Sequence, residues 1–436
     1  MKRAIALSGG GTKGSYELGV WKALRELGID YQIVTGTSIG SINGALMTTG
    51  DYDRAEELWN TITMDDMMED GINLTTMIEG MFDQRDAIRP FLKKYVKNKG
   101  ADISPFTAFI EKLVDEDAIR QSKVNFGLVT VLFPSLEPRE LTKKEIPEGL
   151  MKDYILASAA IFPLFPMHKI GEETYLDGCY HDNLPIDLAL RMGATDVIAV
   201  DLHTTPAHAN YANRPYVTYI KPSRSLGTMM NFDHELLMDN AAMGYYDTMK
   251  YYGEYAGFLY TFEKGSLSRY KKQTGRFISY LARTDLCITD EVPAKKLAKS
   301  GDFNRVFSVL HERAEGRRMK KEQYFVRAAE LCGEFFELDV KPVYSMDGFV
   351  EQVRAKMQGI ALYPEVTALA NKDKLELATR LAELKVTQKS AYLVGCIYYA
   401  LHLKKENRDH LMLACMALMP EELAAALFLL AVCEDA

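Results

Sequence analysis

Two short apolar segments near the start of the chain each lead directly into glycine-rich sequence. Ala4–Ser8 is followed by Gly9–Gly14 (GGGTKG), and Tyr31–Thr35 is followed by Gly36–Gly40 (GTSIG). Each glycine-rich segment opens an apolar pattern of helical period, the second of them over Ile39–Met47. Strand, glycine turn and helix repeated in this way predict an α/β domain with a largely parallel sheet.

The remaining chain divides by its periodicity. Val124–Leu132 and Val197–Leu202 are apolar runs of strand length, and helical periods dominate after about residue 256. A chain of 436 residues exceeds the usual size of one domain, about 100–150 residues. We therefore expect an α/β domain over residues 1–255. We expect a mostly helical region over residues 256–436, which carries no chemical motif of its own.

Charge and cysteine usage restrict the class of protein. The net charge of −8 argues against a general nucleic-acid-binding surface, which needs a basic face. The six cysteines are scattered without paired spacing, so they are expected to be reduced thiols and neither a disulfide nor a zinc framework. We find no signal peptide and no apolar stretch long enough to span a bilayer. These features predict a soluble, cytoplasmic protein, although export without a cleaved signal stays open.

The GTSIG segment has the form of a nucleophile elbow. In such an elbow, glycines on both sides of a serine let a strand turn sharply into a helix, so that the hydroxyl is exposed at the turn. Here the serine is Ser38, flanked by Gly36 and Gly40. The upstream glycine run can direct backbone N–H groups at an oxyanion. Together the two segments indicate acyl transfer.

A dinucleotide fold is the first alternative. Gly9, Gly11 and Gly14 satisfy the G-x-G-x-x-G pattern after a strand. That fold also needs an acidic residue at the end of the second strand to hold the ribose, whereas Asp30 precedes this strand. A P-loop is excluded because Ser15 follows Gly14 where that motif requires lysine. Nucleotide binding would show as a thermal shift with NAD or ATP.

The α/β-hydrolase arrangement is the second alternative. Its elbow follows several strands, and an acidic residue and then a histidine come later in the chain. Here the elbow follows only the second strand, which leaves too little chain for that topology. His181 or His203 could nominally complete a triad, but neither lies in a motif that indicates this role.

A third segment decides between these interpretations. Tyr175–Gly178 (YLDG) is followed by His181–Pro185 (HDNLP). With the glycine loop and the early GTSIG elbow, this Asp-Gly resembles the patatin-like phospholipase family. Leu176–Leu202 is particularly similar to bacterial members of its neuropathy-target-esterase-like branch, and Ala157–Pro163 resembles the segment before the family's aspartate. The resemblance covers roughly residues 1–255.

The resemblance implies a three-layer α/β/α domain and a serine–aspartate dyad without histidine. Ser38 would be the nucleophile, and Asp177 would accept its proton and return it to the leaving alcohol. Backbone N–H groups of the glycine loop would stabilise the oxyanion, those of Gly10 and Gly11 foremost. The full set of residues implied in that oxyanion hole is Gly9, Gly10, Gly11 and Gly14.

Several residues around the dyad are expected to support it. Gly178 would shape the loop after Asp177, and Asn183 and Pro185 would fix that loop from behind. Lys13 lies where the family usually carries lysine or arginine, and a simple solvated lysine is the alternative. Cys179 lies where the family often has glycine or alanine. Because cysteine adopts positive φ less easily than glycine, the geometry of this loop is an open question.

The expected function is a lipid acyl hydrolase that cleaves carboxylic esters, with phospholipids or lysophospholipids as substrates and without a metal or organic cofactor. No spacing typical of a calcium-binding loop occurs. Methionine-rich segments could line an acyl-chain site and contact a membrane surface transiently. Their methionines are Met64, Met67, Met68, Met77, Met81, Met229, Met230, Met238, Met243 and Met249.

A catalytically silent module that senses lipid is the alternative from another functional class. Labelling by a serine-directed probe that is lost in Ser38→Ala would distinguish an enzyme from such a module. The acyl position, the chain length, the oligomeric state and the role of residues 256–436 are left open.

Overall fold

The computed structural model describes residues 2–67, 103–291, 305–312, 319–358, 360, 364–371, 374–403 and 408–433. The chain forms two compact units, Met1–Tyr251 and Tyr252–Ala436. The functional division expected after residue 255 stays a prediction. Each unit has its own arrangement of helices and strands.

The first unit alternates strands and helices. Its strands are β1 (Arg3–Leu7), β2 (Ile33–Thr37), β3 (Asn125–Phe133), β4 (Glu137–Thr142), β5 (His168–Ile170), β6 (Glu173–Asp177), β7 (Asp196–Val200) and β8 (Val217–Ile220). Its α-helices are α1 (Ser15–Glu26), α2 (Ile39–Thr49), α3 (Tyr52–Thr61), α4 (Ser104–Leu113), α5 (Glu116–Gln121), α6 (Met151–Ser158), α7 (Ile186–Arg191) and α8 (His234–Tyr252).

These eight strands form one sheet in the order β5-β6-β3-β2-β1-β7-β8, with β4 paired to β3. The central pairs β3–β2, β2–β1, β1–β7 and β7–β8 are parallel. The pairs β3–β4, β3–β6 and β5–β6 are antiparallel. The predicted α/β class with a mainly parallel sheet is therefore confirmed, with an antiparallel region at one side.

Helices cover both faces of this sheet. Alternate residues of a strand point to opposite faces, and Ala4 and Ala6 of β1 join Ile186 and Ala189 of α7 in one buried cluster. On the other face, α2 packs on β1, β2 and β3. The result is the three-layer α/β/α arrangement that the family resemblance implied.

The strand ends differ from the predicted ones for identifiable reasons. The second strand begins at Ile33 and not at Tyr31, and it continues through Gly36 and Thr37 because both residues pair with β3. The strand predicted to end at Leu202 ends at Val200. There the Asp201 carboxylate accepts hydrogen bonds from backbone N–H groups of the following turn and so ends the extended chain.

The second unit is mostly helical, as the periodicity predicted. Its α-helices are α9 (Lys264–Leu267), α10 (Lys271–Glu291), α11 (Arg305–His311), α12 (Lys321–Phe335), α13 (Met346–Lys356), α14 (Pro364–Asn371), α15 (Lys374–Thr387), α16 (Ser390–Leu403), α17 (Arg408–Leu418) and α18 (Pro420–Cys433). A small sheet of β9 (Tyr255–Ala256), β10 (Thr261–Glu263) and β11 (Val343–Tyr344) was not predicted, because strands of two or three residues leave no periodic signal.

Helix α18 is the centre of this second unit. Every residue of it from Glu422 to Cys433 is buried, and α10, α11, α12, α16 and α17 all pack against it. A helix that is apolar on all sides is stable only when other elements surround it completely. No helix among the described residues has both the length and the apolar character needed to cross a membrane.

Two glycines allow α1 and α8 of the first unit to meet backbone to backbone. A Cβ atom on Gly244 would lie 2.0 Å from the Tyr16 carbonyl oxygen, and one on Gly19 would lie 1.7 Å from that of Ala241. We predict that Gly244→Ala lowers the free energy of unfolding by about 1–3 kcal/mol, because the helices must separate. Urea unfolding followed by circular dichroism measures this change.

Gly275→Ala is the matched control, since Gly275 also lies within a helix but no atom lies within 4 Å of its added Cβ. This change should stabilise the protein by about 0.5–1 kcal/mol, the helix propensity difference between alanine and glycine. Equal effects of the two substitutions would contradict the close helix contact.

Candidate active site

Ser38 lies in the turn between β2 and α2 with a backbone conformation that few non-glycine residues adopt. Its φ and ψ are 55° and −125°. Such a conformation costs on the order of 1–3 kcal/mol and persists only where surrounding contacts impose it. The Ser38 N–H donates to Ser158 Oγ at 3.0 Å, and Ser158 Oγ donates to the Val129 carbonyl at 2.7 Å. Ser158 is completely buried and ties the turn to β3.

The positions on each side of Ser38 must be glycine because a side chain there would clash with the neighbouring backbone. A Cβ on Gly36 would lie 2.1 Å from the Gly40 carbonyl oxygen, and one on Gly40 would lie 2.6 Å from that of Leu7. The strand and the following helix therefore approach more closely than any side chain permits. Such a close approach is what a nucleophile elbow requires of the residues around its serine.

Asp177 ends β6 and lies beside the elbow through the pairing of three strands. Thr37 pairs with Val129, and the next residue of β3, Thr130, pairs with Asp177. The Asp177 side chain is only 1% exposed, and its carboxylate accepts a hydrogen bond at 2.8 Å from the Cys179 N–H and lies next to the Ser38 side chain. Burial raises the pKa of Asp177 to about 6, although its polar interactions with Cys179 and Ser38 oppose the shift.

The loop after Asp177 does not require a positive φ at Cys179. Gly178–Tyr180 forms a short 3₁₀ turn, and Cys179 is not among the described non-glycine residues with positive φ. Gly178 is the residue that space requires here, because its Cβ would lie 2.3 Å from the Val129 carbonyl oxygen. Burial and the nearby Asp177 carboxylate raise the pKa of the Cys179 thiol, so this thiol stays protonated beside Asp177.

The glycine loop lies next to Ser38 and is fastened by Asn183. The Gly9 N–H donates to the Asn183 carbonyl at 3.0 Å, and Asn183 Nδ2 donates back to the Gly9 carbonyl at 3.1 Å. A Cβ on Gly9 would lie 3.1 Å from Ser38 Cβ. Asn183 and Pro185 were expected to fix the loop after Asp177. Their hydrogen bonds instead join that segment to the glycine loop and, through the Pro185 carbonyl, to the Thr35 hydroxyl at 2.9 Å.

The four glycines predicted for an oxyanion hole differ in their surroundings. Within the described chain, the N–H groups of Gly10 and Gly11 donate to no oxygen, whereas that of Gly9 is engaged by Asn183. Gly14 packs against Ile39 and does not line the cavity beside Ser38. Gly10 and Gly11 are therefore the residues of this loop with donors available for a ligand.

Ser38 and Asp177 open into a cavity of about 370 Å³ in the first unit. Volumes of this order are typical of small-molecule sites. Most of its lining is apolar. The apolar lining residues include Ile42, Leu58, Trp59, Ile62, Phe106, Phe109, Ile161, Leu164, Phe165 and Phe232. Such a lining suits an aliphatic chain that lies with one end at Ser38.

The predicted methionine lining is found in part. Met67, Met229 and Met230 line the cavity. On α8, Met243 and Met249 are buried in the core and Met238 is half-buried, and none of the three lines the cavity. Met64 is half-buried and does not line it either. Met68, Met77 and Met81 lie outside the described residues.

Of the two histidines considered for a catalytic triad, His203 lines the cavity beside Ser38 and His181 does not. His181 lines a separate, open depression and lies 3.8 Å from Glu140. His203 does line the cavity, but its ring pairs with Asp201 at 2.9 Å. Among the described residues, Asp177 is the titratable group whose pKa is shifted by the Ser38 side chain, and neither histidine hydrogen-bonds to Ser38. Asp30, the candidate ribose ligand, is exposed and lies outside the cavity lining.

Sequence reasoning missed Ser158, and it considered His203 only as a possible triad member. Ser158 was quoted only as part of a resembling segment, and no spacing rule relates it to Ser38, 120 residues away. His203 follows a strand predicted to end at Leu202, which is a signal that it lies at the sheet edge carrying the site.

No group of three or more His, Cys, Asp or Glu side chains in the described ranges is arranged to hold a metal ion.

The sequence of this chain is similar to a known protein family and to several proteins that contain its domain. Residues 5–190 match the family described as patatin-like phospholipase. The human "Patatin-like phospholipase domain-containing protein 6" is 30% identical over 201 residues, which are 46% of this chain and 13% of that protein. "Lysophospholipase NTE1" of Mycosarcoma maydis is 28% identical over 204 residues, 46% of this chain and 10% of that protein. This chain thus spans a small part of the length of these relatives.

Among solved structures, VipD from Legionella pneumophila aligns with a TM-score of 0.39 and 15% sequence identity. The alignment covers 99% of this chain and 90% of that chain.

We predict that Ser158→Ala lowers both stability and the reactivity of Ser38. The substitution leaves the Ser38 N–H and the Val129 carbonyl without their buried partner, at a cost of about 1–3 kcal/mol. The turn then holds its strained conformation less firmly, so labelling of Ser38 by a fluorophosphonate should slow by about tenfold. Thermal unfolding and the labelling rate are measured on the same preparations.

Thr48→Val is the control, because Thr48 is also buried and donates only to the Gly44 carbonyl within α2. It should lower stability and leave the labelling rate unchanged. A labelling rate that falls equally in both variants would contradict a positioning role for Ser158.

Proposed function

We propose that the chain is a serine acyl hydrolase that cleaves carboxylic esters of phospholipids or lysophospholipids. The match of residues 5–190 to the patatin-like phospholipase family supports this proposal. The observation that carries this proposal is the position of the buried Asp177 carboxylate next to the Ser38 side chain, close enough for Ser38 to lower its pKa. The conformation of Ser38, the available N–H groups of Gly10 and Gly11 and the apolar cavity support it. The named activities of the two relatives are consistent with it.

The first half of the proposed reaction acylates Ser38. The Ser38 oxygen attacks the ester carbonyl carbon while its proton passes to the Asp177 carboxylate. The negative charge that develops on the carbonyl oxygen is stabilised by the N–H groups of Gly10 and Gly11. The positive end of α2, which begins at Ile39, adds to this stabilisation. Collapse of the tetrahedral intermediate breaks the ester C–O bond, and the leaving alcohol takes the proton from Asp177.

The second half releases the fatty acid. Water attacks the acyl carbon of the Ser38 ester and gives a proton to Asp177, and the same N–H groups stabilise the second oxyanion. The carboxylic acid then leaves as Ser38 recovers its proton. Asp177 suits both halves because its raised pKa of about 6 makes it a stronger base than an exposed aspartate, yet it is mostly ionised at neutral pH.

The test is hydrolysis of p-nitrophenyl esters of increasing chain length and of phospholipid vesicles. Ser38→Ala and Asp177→Asn should each lose at least about a thousandfold in kcat, since the nucleophile or its base is removed. Activity should rise with chain length as the acyl group fills the apolar cavity. Ser135→Ala and Asp153→Asn are matched controls outside the cavity lining and should keep wild-type rates.

A folded wild-type protein that hydrolyses none of these esters would support the silent lipid-sensing module instead. Activity that survives in Ser38→Ala would place the reaction elsewhere in the chain.

The pH dependence of kcat/KM follows from Asp177. The protonated carboxylic acid cannot accept the Ser38 proton, so only the ionised form of Asp177 is active. We predict that kcat/KM increases as pH rises through about 6 and then reaches a plateau. Initial rates between pH 4 and 9, with folding checked at each pH, measure the profile. An acidic limb centred near 4, the ordinary value for aspartate, would contradict the effect of burial.

A further inference from the structure

His203 lies on the wall of the cavity that also carries the glycine loop. It directly follows Leu202, whose Cδ1 atom would lie 2.9 Å from a Cβ on Gly10. His203 and Lys13 both line the cavity with Ser38. In the proposed hydrolysis by Ser38 and Asp177, His203 has no role.

A buried carboxylate holds the His203 ring in place. Asp201 is fully buried and accepts from His203 Nδ1 at 2.9 Å, from the His203 N–H at 3.0 Å and from the Ala207 N–H at 2.8 Å. The Tyr219 hydroxyl donates to the same carboxylate at 2.5 Å. Burial alone would raise the pKa of Asp201, but these hydrogen bonds bring it below its usual value. Asp201 is thus ionised at neutral pH, and its carboxylate fixes one ring nitrogen of His203.

The other ring nitrogen, Nε2, is left for a ligand. Among the described residues it has no hydrogen-bond partner, and the His203 side chain is 49% exposed. When His203 is protonated, Nδ1 donates to Asp201 while Nε2 can donate to an anionic oxygen. Such a charge-assisted hydrogen bond is stronger than one between neutral groups.

The charges of the lining favour an anion at this wall. Among the described residues of the lining, Lys13 and His203 are the basic side chains, and the single carboxylate is that of Asp177, which lies next to Ser38. The other walls are mostly apolar. An ester whose acyl chain lies among those apolar side chains places the polar part of its alcohol away from them, at the wall formed by the glycine loop and His203.

We propose that His203, oriented by Asp201, is a specificity-determining residue that binds a phosphate oxygen on the alcohol portion of the substrate. The inference rests on the proposed function and adds the group by which the site distinguishes a phosphate-bearing lipid ester from a neutral one. In this arrangement Asp201 is a positioning residue, because it acts through the imidazole.

The first test compares two esters that share an acyl chain, 1-palmitoylglycerol 3-phosphate and 1-palmitoylglycerol. His203→Leu should lower kcat/KM for the phosphate ester by at least about tenfold, mainly through KM, and change that for the neutral ester by less than about twofold. His203→Gln, whose amide can still donate, should recover part of the loss. Asp201→Asn should show the same selective loss to a smaller degree.

His168→Leu is the matched control, since His168 also pairs with a carboxylate, Asp153 at 3.0 Å, but does not line the cavity. It should leave the ratio of the two kcat/KM values unchanged. If His203→Leu lowered kcat/KM equally for both esters, the proposal would be overturned and His203 would have a structural role. If His203→Leu changed kcat/KM for neither ester, the proposal would also be overturned, and Lys13 alone would bind the anion.

The second test separates this inference from the proposed reaction. Binding of decyl phosphate and of 1-O-decylglycerol is measured by calorimetry on Ser38→Ala, which needs no turnover. Adding His203→Leu should weaken binding of decyl phosphate by at least about tenfold and leave binding of the glycerol ether unchanged. Failure of hydrolysis with selective loss of phosphate binding would refute only the reaction. Hydrolysis with no selective loss would refute only the role of His203.

Discussion

The register of the central strands is the constraint on which the site depends. Leu7 pairs with Gly36, Thr37 pairs with Val129, and Thr130 pairs with Asp177. These pairings bring the ends of β1, β2 and β6 close together in the sheet, with β3 between β2 and β6, although their residues are far apart along the chain. A slip of one position in any of them would reverse the direction of every following side chain. The glycine loop, Ser38 and Asp177 would then no longer meet.

Packing of the same sheet also offsets the loss of stability that comes from two features of the site. Ser38 is held in a strained backbone conformation, and Asp177 is a carboxylate withdrawn from water. Val129 of β3 lies between them and receives the Ser158 hydroxyl that restrains the Ser38 N–H. Both features therefore depend on one well-packed strand, and the stability lost at the site is supplied by the core around it.

Local chemistry was predictable from the sequence, and long-range placement was not. The elbow and the glycine loop could be predicted because short runs of glycine carry their own conformational requirement. Asp177 was identified only through resemblance, since its antiparallel strand approaches β3 from a part of the chain that spacing does not connect to Ser38. Ser158 and the buried Asp201 act through tertiary contacts, for which no local pattern exists. Strand ends were displaced by two residues where pairing or a side-chain cap decided them.

The position of α18 in the chain has a consequence for synthesis. Five helices of the second unit pack on it, yet all of them precede it in sequence, so that unit cannot close its core until residues 420–433 have left the ribosome. The first unit, with every residue of the site, is complete by residue 251. At about 5–20 residues per second, roughly ten to forty seconds separate the two events. During this interval the apolar helices of the second unit still lack their central helix, and for that time it is this segment that needs protection by chaperones.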